Sequence, residues 1–330
     1  MLAVRNISKS YKGRTVLSNL SFELKSGDSL VIVGESGSGK SSLLKIIGGL
    51  LDSDNGEVIF NGEKIKSPSQ VLVPGYPEIQ MVDQLYNLPA YERLHEIVAN
   101  QLLGYEEAYR KERVESLLEL AGLNGDADKY TRELSGGQQQ KLAIAAALAN
   151  EPSLLLLDEP FSNLDPFSKY DFLNQLSQEA EALNTSLILV THDIQEALSF
   201  GKQIMVLHGS KIAQEGHPRE LYLRPRSKFV AQFLGPLNIW TANAFNRLWP
   251  NVSNGHTGWV GVRPESLTVG VEEGIPARVV SSSFFGPYYQ ILIEVSQTEP
   301  LVKVFHSEAL PDGLPTKLSL SKSDLIYLSD

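Results

Sequence analysis

The chain has 330 residues, 42% of them hydrophobic, which is enough for one large domain and a smaller second one. Its formal net charge of −10 disfavours a broad basic face, so we expect no nucleic-acid partner. The absence of cysteine excludes disulfides, thiolate metal sites and thiol nucleophiles, and it suits the cytosol.

No segment of the sequence resembles an export signal or a membrane span. The N-terminal residues lack the apolar core of a secretory signal. The longest apolar stretches, Leu142–Ala149 and Leu154–Leu157, are far shorter than the ~18 residues of a spanning helix. Any membrane role is therefore expected to come through a partner.

The first elements in chain order are strands around a glycine-rich loop. We predict strands at Val4–Ile7, Leu20–Leu24 and Ser29–Val33, and the third is apolar throughout, as a buried strand should be. The loop follows directly. A helix is predicted over Ser41–Leu50, and a strand over Gly56–Gly62 ends in an Asn-Gly turn.

The middle of the chain combines helices with buried strands. Tyr91–Leu123 is charge-rich with helical apolar spacing, which predicts an inserted helical subdomain. The apolar strands Leu154–Leu157 and Leu187–Val190 are each followed by a turn and a helical stretch, as in a parallel sheet with crossover helices. The first two-thirds is therefore predicted to be α/β.

Beyond about Phe233, short alternating strands replace this pattern and predict a small β-barrel. A hairpin turn is predicted at Gly286-Pro287. The strands are expected at Trp259–Arg263, Ile275–Val280, Tyr288–Val295, Leu301–Phe305 and Lys317–Leu328.

The glycine-rich loop fits the P-loop pattern G-x-x-x-x-G-K-[ST] between an apolar strand and a helix. Its backbone N–H groups and the helix N-terminus are suited to the phosphates of ATP. Lys40 is predicted to reach the β- and γ-phosphates and Ser41 to ligate Mg²⁺. The predicted nucleotide-binding residues here are Gly34, Glu35, Ser36, Gly37, Ser38, Gly39, Lys40, Ser41 and Ser42.

The apolar strand Leu154–Leu157 ends in two acids, as a Walker B segment does. Asp158 is predicted to lie near Mg²⁺. Glu159 is predicted to orient and deprotonate the water that attacks the γ-phosphate. Alone, two acids before Pro160 could simply start a turn, but the P-loop strengthens the catalytic interpretation.

The segment Leu134-Ser135-Gly136-Gly137-Gln138 resembles the LSGGQ signature of the ABC transporter ATPase family. It precedes a helical run and offers a second helix N-terminus for an anion. A plain serine helix cap is the simpler alternative. The resemblance implies that Ser135, Gly136, Gly137 and Gln138 close over ATP held by a second subunit, in a homodimer with ATP at the interface.

The resemblance extends to further motifs of the family. Asp165 looks like the D-loop aspartate and His192 like the switch histidine that senses the γ-phosphate. Tyr11 matches the adenine-stacking aromatic, with Val16 beside it, although a surface tyrosine is the alternative.

The Q-loop glutamine is identified less directly. Gln84 has the family's spacing to the following helix and would serve both catalysis and Mg²⁺, whereas Gln80 is the competing candidate. Lys141 and Ala146 replace arginines that are usual in the family, and we expect activity to survive both changes.

The tail around Val260–Glu265 resembles the TOBE-like β-barrel of importer ATPases for iron(III), polyamines, oxyanions and sugars. The implied fold is an α/β P-loop NTPase with a mixed, largely parallel sheet and a helical subdomain, followed by a small all-β OB-like barrel. The implied domains are 1–235 for nucleotide binding, with the helical subdomain at about 88–145, and 236–330 for the barrel.

The function implied by the resemblance is an ATP-hydrolysing motor of an ABC importer. Its expected partners are transmembrane permease subunits and, through them, a solute-binding protein, and its expected place is the cytoplasmic face of the cell membrane. The alternatives are an exporter ATPase and a soluble ABC ATPase acting on ribosomes or nucleic acid. The transported solute stays open among iron(III), polyamine and oxyanion.

Overall fold

The computed structural model describes residues 1–86, 88–250, 252, 257–297 and 299–329. The chain forms two compact units, Met1–Pro218 and Arg219–Asp330, and each has its own hydrophobic core. The domain boundary at residue 235, predicted from the sequence, stays a prediction.

The first unit carries the elements of an α/β fold. In chain order they are β1 Leu2–Tyr11, β2 Arg14–Leu24, β3 Ser29–Gly34, α1 Lys40–Ile47, β4 Asn55–Phe60, β5 Glu63–Lys64, β6 Ile79–Val82, α2 Leu94–Asn100, α3 Glu107–Leu120, α4 Gly136–Leu148, β7 Leu154–Asp158, α5 Pro166–Ala182, β8 Ser186–Thr191, α6 Ile194–Phe200, β9 Gln203–His208 and β10 Lys211–Gly216.

The central sheet has the strand order β10-β9-β3-β8-β7-β6. Its pairings are parallel except between β9 and β10. Every residue of β3, β7 and β8 is buried, which explains why their sequences are nearly continuous apolar runs. The carboxyl ends of these three strands lie side by side, and such an edge is where open α/β sheets bind ligands.

A second, antiparallel sheet has the order β2-β1-β4-β5. The turn from β4 to β5 contains Asn61 and Gly62 with φ values of 51° and 87°, which confirms the predicted Asn-Gly turn. The predicted end of the first helix at Leu50 is wrong. The helix stops at Ile47, because Gly48 caps it and Gly49 turns left-handed with φ of 68°.

Helices α2, α3 and α4 of the first unit pack against one another. The predicted run Tyr91–Leu123 is divided into two helices, α2 and α3, with Leu117 and Leu118 buried on α3. Across the part of the chain that the structure describes, none of the helices is long and apolar enough to cross a membrane.

The remaining elements are mainly β. In chain order they are α7 Pro218–Leu223, α8 Lys228–Phe233, β11 Asn238–Thr241, α9 Ala242–Leu248, β12 Trp259–Val262, β13 Thr268–Val269, β14 Ile275–Phe284, β15 Tyr289–Glu294, β16 Val302–His306, β17 Pro315–Ser319 and β18 Ile326–Leu328.

The second unit is a nearly closed antiparallel barrel, as predicted. Its main sheet has the order β13-β17-β14-β15-β16, and a smaller sheet has the order β11-β12-β18. Gly286, with φ of 83°, lies in the β14–β15 hairpin turn as expected. The strand predicted over Lys317–Leu328 is in fact two strands, because a 3-10 turn at Lys322–Asp324 interrupts it.

Arg263 is the largest fully buried side chain of the described residues and lies in the second unit. Its guanidinium lies over the ring of Tyr222, 4.0 Å from the centroid. It donates hydrogen bonds of 3.0–3.1 Å to backbone carbonyls of Tyr222, Ala231, Gly235 and Pro236. A buried cation is tolerated here because carbonyl dipoles and an aromatic face surround it.

Candidate functional site

The phosphate loop connects the buried strand β3 to helix α1. Gly37 and Gly39 have φ values of 77° and 93°, a backbone conformation that glycine adopts without strain. A Cβ atom at Gly39 would lie 2.6 Å from the carbonyl oxygen of Val16, and one at Gly34 would lie 2.5 Å from that of Leu207. Backbone conformation and close packing therefore both require glycines in this loop.

Lys40 begins helix α1 and points back into the loop. Its ammonium donates to the carbonyl oxygens of Gly34 at 2.9 Å and Glu35 at 3.0 Å. Burial lowers the pKa of Lys40, whereas the charges of Glu159 and Asp158 act to raise it. The loop thus holds a partly buried cation beside two carboxylates, an arrangement suited to a metal-bound polyphosphate.

The serines of the loop differ in their surroundings. Ser36 is exposed, whereas the hydroxyl of Ser38 is buried with no hydrogen-bond partner among the residues that the structure describes. Ser42 lies 3.2 Å from the hydroxyl of Tyr11, measured between the two oxygens. An unpartnered buried hydroxyl inside the loop is consistent with a phosphate oxygen as its partner.

The predicted adenine contact combines Tyr11 and Val16. Tyr11 ends β1 with 45% of its surface exposed, and Val16 on β2 is half-buried against the core. The contact with Ser42 places the Tyr11 ring beside the first turn of α1. An exposed aromatic face next to the phosphate loop is available for stacking.

Asp158 ends β7 and is 5% exposed. Its Oδ1 atom has no hydrogen-bond partner within the described chain. Burial raises the pKa of Asp158, while a hydrogen bond from Ser41 acts in the opposite direction. The buried, unpartnered carboxylate oxygen and the neighbouring hydroxyl fit Mg²⁺, which prefers oxygen ligands and needs few from protein.

Glu159 lies next to Asp158 in a left-handed backbone conformation with φ of 48°. Its backbone N–H donates to the carbonyl of Val190 at 2.9 Å, and its carbonyl accepts from the buried side chain of Gln140 at 3.4 Å. Such strain in a non-glycine residue persists only where the surroundings fix it, and it concentrates at functional sites.

Two of the predicted side chains approach the same carboxylate oxygen of Glu159. Gln84 Nε2 lies 3.5 Å from Oε2, and His192 Nδ1 lies 3.3 Å from it. Gln80 is instead on strand β6 and donates to the carbonyl of Pro77 at 3.1 Å. The geometry therefore favours Gln84 over Gln80 as the glutamine that acts with Glu159.

The signature segment begins helix α4 in a reciprocal cap. The Ser135 hydroxyl accepts from the N–H of Gln138 at 3.3 Å, and the Gln138 side chain accepts from the N–H of Ser135 at 3.0 Å. Gly136 and Gly137 form the first turn, where N–H groups have no intrahelical acceptor. Both the serine cap and the free helix end are therefore present.

The signature and the D-loop lie against each other within this chain. A Cβ atom at Gly137 would lie 2.8 Å from Leu164 Cδ2 and 2.9 Å from the carbonyl oxygen of Asn163. Asp165 follows this contact and accepts from the N–H of Ser168 at 3.0 Å, and the Ser168 hydroxyl also donates to it.

The structure thus places the predicted residues in two groups. The group around Glu159 contains Gln84, His192, Asp158, Lys40 and Ser41. The signature residues instead contact the D-loop. Three further residues were not predicted from the sequence: Tyr86, whose hydroxyl accepts from Asn163 at 3.1 Å, Gln140 and Lys169. Nothing in their local sequence marks them, because their partners are distant along the chain.

Comparison with known proteins agrees with this fold. The family model described as "ABC transporter" matches residues 17–162, and the model described as "TOBE domain" matches residues 260–328.

Two curated relatives resemble the chain over nearly its full length. An Fe(3+) ions import ATP-binding protein, FbpC, from Photorhabdus laumondii is 32% identical over 94% of this chain and 91% of its own length. A spermidine/putrescine import ATP-binding protein, PotA, from Clostridioides difficile is 35% identical over 88% of this chain and 87% of its own.

A solved structure resembles about two-thirds of the chain. The dimeric post-hydrolysis state of the ATP-binding cassette MJ0796, bound to ADP and Pi, has a TM-score of 0.59 and 32% identity. The match covers 66% of this chain and 99% of that one.

Proposed function

This chain belongs to the ABC transporter family, and from that membership we propose that it is the ATP-hydrolysing motor of a membrane importer for a small solute. Its relatives are named as ATP-binding subunits for Fe(3+) and spermidine/putrescine import. The TOBE domain match supports the importer over the exporter. The solute is an iron(III) or polyamine species, or an oxyanion.

The convergence of Gln84 and His192 on Glu159 carries this proposal. Glu159 accepts the proton of a water molecule as that water attacks the γ-phosphate, and ADP is the leaving group. Gln84 and His192 orient the carboxylate and the water, and His192 senses the γ-phosphate. Most of the rate enhancement comes from positioning and charge neutralisation.

The phosphate loop binds the substrate during this step. Its backbone N–H groups and Lys40 hold the phosphates, and Tyr11 with Val16 supports the adenine. Ser41, Asp158 and Gln84 would hold Mg²⁺, which supplies positive charge to the β- and γ-phosphates. The orphan Asp158 oxygen and the buried Ser38 hydroxyl support this assignment.

We propose that two copies of the chain close head to tail around ATP. The helix end at Ser135–Gln138 and Asp165 of one copy meet the γ-phosphate held by the P-loop of the other. The matched dimeric cassette structure, bound to ADP and Pi, supports this arrangement. Hydrolysis then removes the bridging γ-phosphate and lets the dimer open.

The permease contact is assigned to the Q-loop region and the helical subdomain. A groove of about 280 Å³ lies beside the glutamine loop and helix α4. The groove has a mixed lining, which suits a short amphipathic helix from a membrane subunit. Its apolar residues are Met81, Val82, Leu88, Ala143, Ala146 and Ala147, and its polar residues are Gln80, Asp83, Tyr86 and Gln101. The subunit acts peripherally at the cytoplasmic face, and a solute-binding protein delivers the cargo to the permease.

The first experiment compares wild type with Glu159→Gln in ATP and Mg²⁺. We expect the variant to lose turnover by about 100-fold or more, as the loss of a general base does, yet to accumulate an ATP-bound dimer. Glu215→Gln, an exposed charge change on β10, is the control and should behave as wild type. Equal turnover of wild type and Glu159→Gln would overturn the catalytic assignment.

The importer assignment has its own test. Cells that lack this chain should lose ATP-dependent uptake of one of the three solute classes, measured with labelled iron(III), spermidine and molybdate. Reintroducing the wild-type chain should restore uptake, and Glu159→Gln should not. Normal uptake of all three classes together with retention of an exported product would contradict the importer and favour an exporter.

A further inference from the structure

Lys169, on the first turn of α5, forms ion pairs with two residues of the His192 segment. Its ammonium lies 2.6 Å from Asp193 Oδ2 and 2.9 Å from Glu196 Oε1. The Lys169 side chain is only 12% exposed, and that of Glu196 is 5% exposed. These are partly desolvated charge pairs, which are stronger and more directional than pairs on an open surface.

The same network reaches the residue on the other side of His192. The second carboxylate oxygen of Glu196 accepts from the Thr191 hydroxyl at 2.5 Å. The Thr191 hydroxyl in turn accepts from the backbone N–H of Asp193 at 3.0 Å. Thr191 and Asp193, the two neighbours of His192, are therefore both tied to the carboxylate that Lys169 neutralises.

His192 itself depends on this backbone for its position. Its side chain is 65% exposed and approaches Glu159 at 3.3 Å from the solvent side of the strand end. An exposed ring is placed mainly by the backbone that carries it. Removing Lys169 would leave the buried carboxylate of Glu196 without its cation, and the segment would have to rearrange.

Lys169 also lies one turn after the D-loop aspartate. Its backbone N–H donates to the carbonyl of Asp165 at 3.0 Å. This hydrogen bond and the ion pairs of the lysine connect the D-loop aspartate to the His192 segment. The lining of a cavity of about 150 Å³ includes Glu159, Ser162, Lys169 and His192.

We propose that Lys169 is a positioning residue for ATP hydrolysis, which holds the segment Thr191–Asp193 so that His192 faces Glu159 and follows the D-loop. The inference rests on the proposed role of His192. A lysine that merely stabilises the fold is the competing explanation, and the two differ in what a substitution does to turnover.

The chain provides a matched control on the same helix. Arg113 and Glu179 form an ion pair of 2.5 Å between α3 and α5, with side chains 10% and 24% exposed. This pair has similar burial but contacts neither His192 nor Asp165 in any described interaction. Arg113→Met therefore measures how the loss of a comparable ion pair on α5 changes stability and kcat when the His192 segment is not involved.

The experiment measures kcat, KM for ATP and the thermal unfolding midpoint of the full chain. We expect Lys169→Met to lower kcat by about 10- to 100-fold, the order of cost when a reacting group shifts by about 1 Å, with KM changed less than about threefold. Lys169→Arg should restore most of the turnover. Arg113→Met should lower the unfolding midpoint without a comparable loss of kcat.

Non-additivity supplies the decisive readout. In a His192→Ala background, Lys169→Met should change the residual kcat by less than about twofold, because the group that it positions is gone. An equal loss in both backgrounds, or an equal loss in Arg113→Met, would overturn the inference. If Lys169→Met has the same kcat as wild type, only the proposed role of Lys169 is wrong. If Glu159→Gln keeps wild-type turnover, the proposed catalytic role of Glu159 is wrong.

A second variant covers the case in which Lys169→Met does not fold. Asp193→Asn keeps an oxygen that can cap α6, where Asp193 now accepts from Gln195 at 2.8 Å, but weakens the pair with Lys169. It should fold and lower kcat in the same direction. Wild-type kcat in this folded variant would also overturn the proposal.

Discussion

The Nδ1 atom of His192 lies 3.3 Å from the Oε2 atom of Glu159, although 33 positions separate the two residues in the sequence. The pairing follows from the sheet: β7, which precedes Glu159, and β8, which precedes His192, are parallel neighbours with Asp158 opposite Val190. Parallel strands bring their carboxyl ends to one edge, so residues just after each strand meet there.

The choice between the two candidate glutamines can be tested directly. Gln84→Ala removes an amide that lies 3.5 Å from the Glu159 carboxylate, so we expect kcat to fall by about tenfold or more through lost positioning. Gln80→Ala removes only a bond to the Pro77 carbonyl and should leave kcat within about twofold. Steady-state ATPase assays of both variants give the two kcat values. A larger loss of kcat in Gln80→Ala than in Gln84→Ala would assign the Q-loop role to Gln80.

Asp158 is predicted to set the Mg²⁺ requirement. Asp158→Asn keeps the shape of the buried side chain but removes its charge, so the Mg²⁺ concentration for half-maximal turnover should rise by about 10-fold or more. Asp54→Asn is the control, because Asp54 is 40% exposed and pairs with Lys9 at 3.0 Å, and it should keep the wild-type Mg²⁺ titration. Chelation with EDTA should abolish wild-type turnover, and an unchanged Mg²⁺ titration in Asp158→Asn would contradict the assignment.

Much of the site could be predicted because its residues lie in contiguous motifs. The P-loop needs glycines at fixed places for backbone reasons, and Gly34 and Gly39 indeed have no room for a Cβ atom. Likewise, β3, β7 and β8 are buried on both faces, and their apolar runs indicate this without knowledge of the fold.

The rest depends on tertiary packing that local sequence does not encode. The left-handed backbone of Glu159 is fixed by Val190 and by Gln140, which come from a neighbouring strand and from helix α4. The partners of Lys169 lie 24 and 27 positions away. The spacing favours Gln84 but leaves Gln80 as a competing candidate, and the approach to Glu159 separates the two.

The contact between the signature and the D-loop predicts a steric effect at Gly137. In Gly137→Ala, the added methyl would meet the Asn163 carbonyl at 2.9 Å, and this backbone atom cannot rotate away as a side chain does. The D-loop must then shift, and we expect kcat to fall by about tenfold with ATP affinity little changed.

Gly125→Ala is the control for this substitution. A Cβ atom at Gly125 would meet nothing within 4 Å, so this variant should keep its kcat and its thermal midpoint. The assays are steady-state ATPase kinetics and binding of a fluorescent nucleotide. Normal turnover in Gly137→Ala would mean that the contact with Asn163 relaxes without consequence.

The last prediction concerns alkaline pH and the second unit. Burial, and then a 2.6 Å hydrogen bond to Glu265, raises the pKa of Tyr222 from 10.0 to about 12. A raised pKa means that the Tyr222 hydroxyl keeps its proton to a higher pH in the folded state than in the unfolded state. The resulting stabilisation is complete below pH 10 and is lost as the pH rises through about 12. Because Tyr222 is only partly buried, we expect this interaction to add about 1 kcal/mol to the free energy of unfolding.

Tyr222→Phe tests this sign, because it removes the proton and the hydrogen bond but keeps the ring under Arg263. At pH 8 the free energy of unfolding of the variant, measured by urea titration, should be about 1 kcal/mol lower than that of wild type. Between pH 10 and 12 the unfolding free energies of the two proteins should converge. In this range wild type loses the Tyr222 proton and its hydrogen bond, which the variant already lacks. A constant gap between Tyr222→Phe and wild type at all pH values would show that the hydroxyl stabilises the unit without titrating.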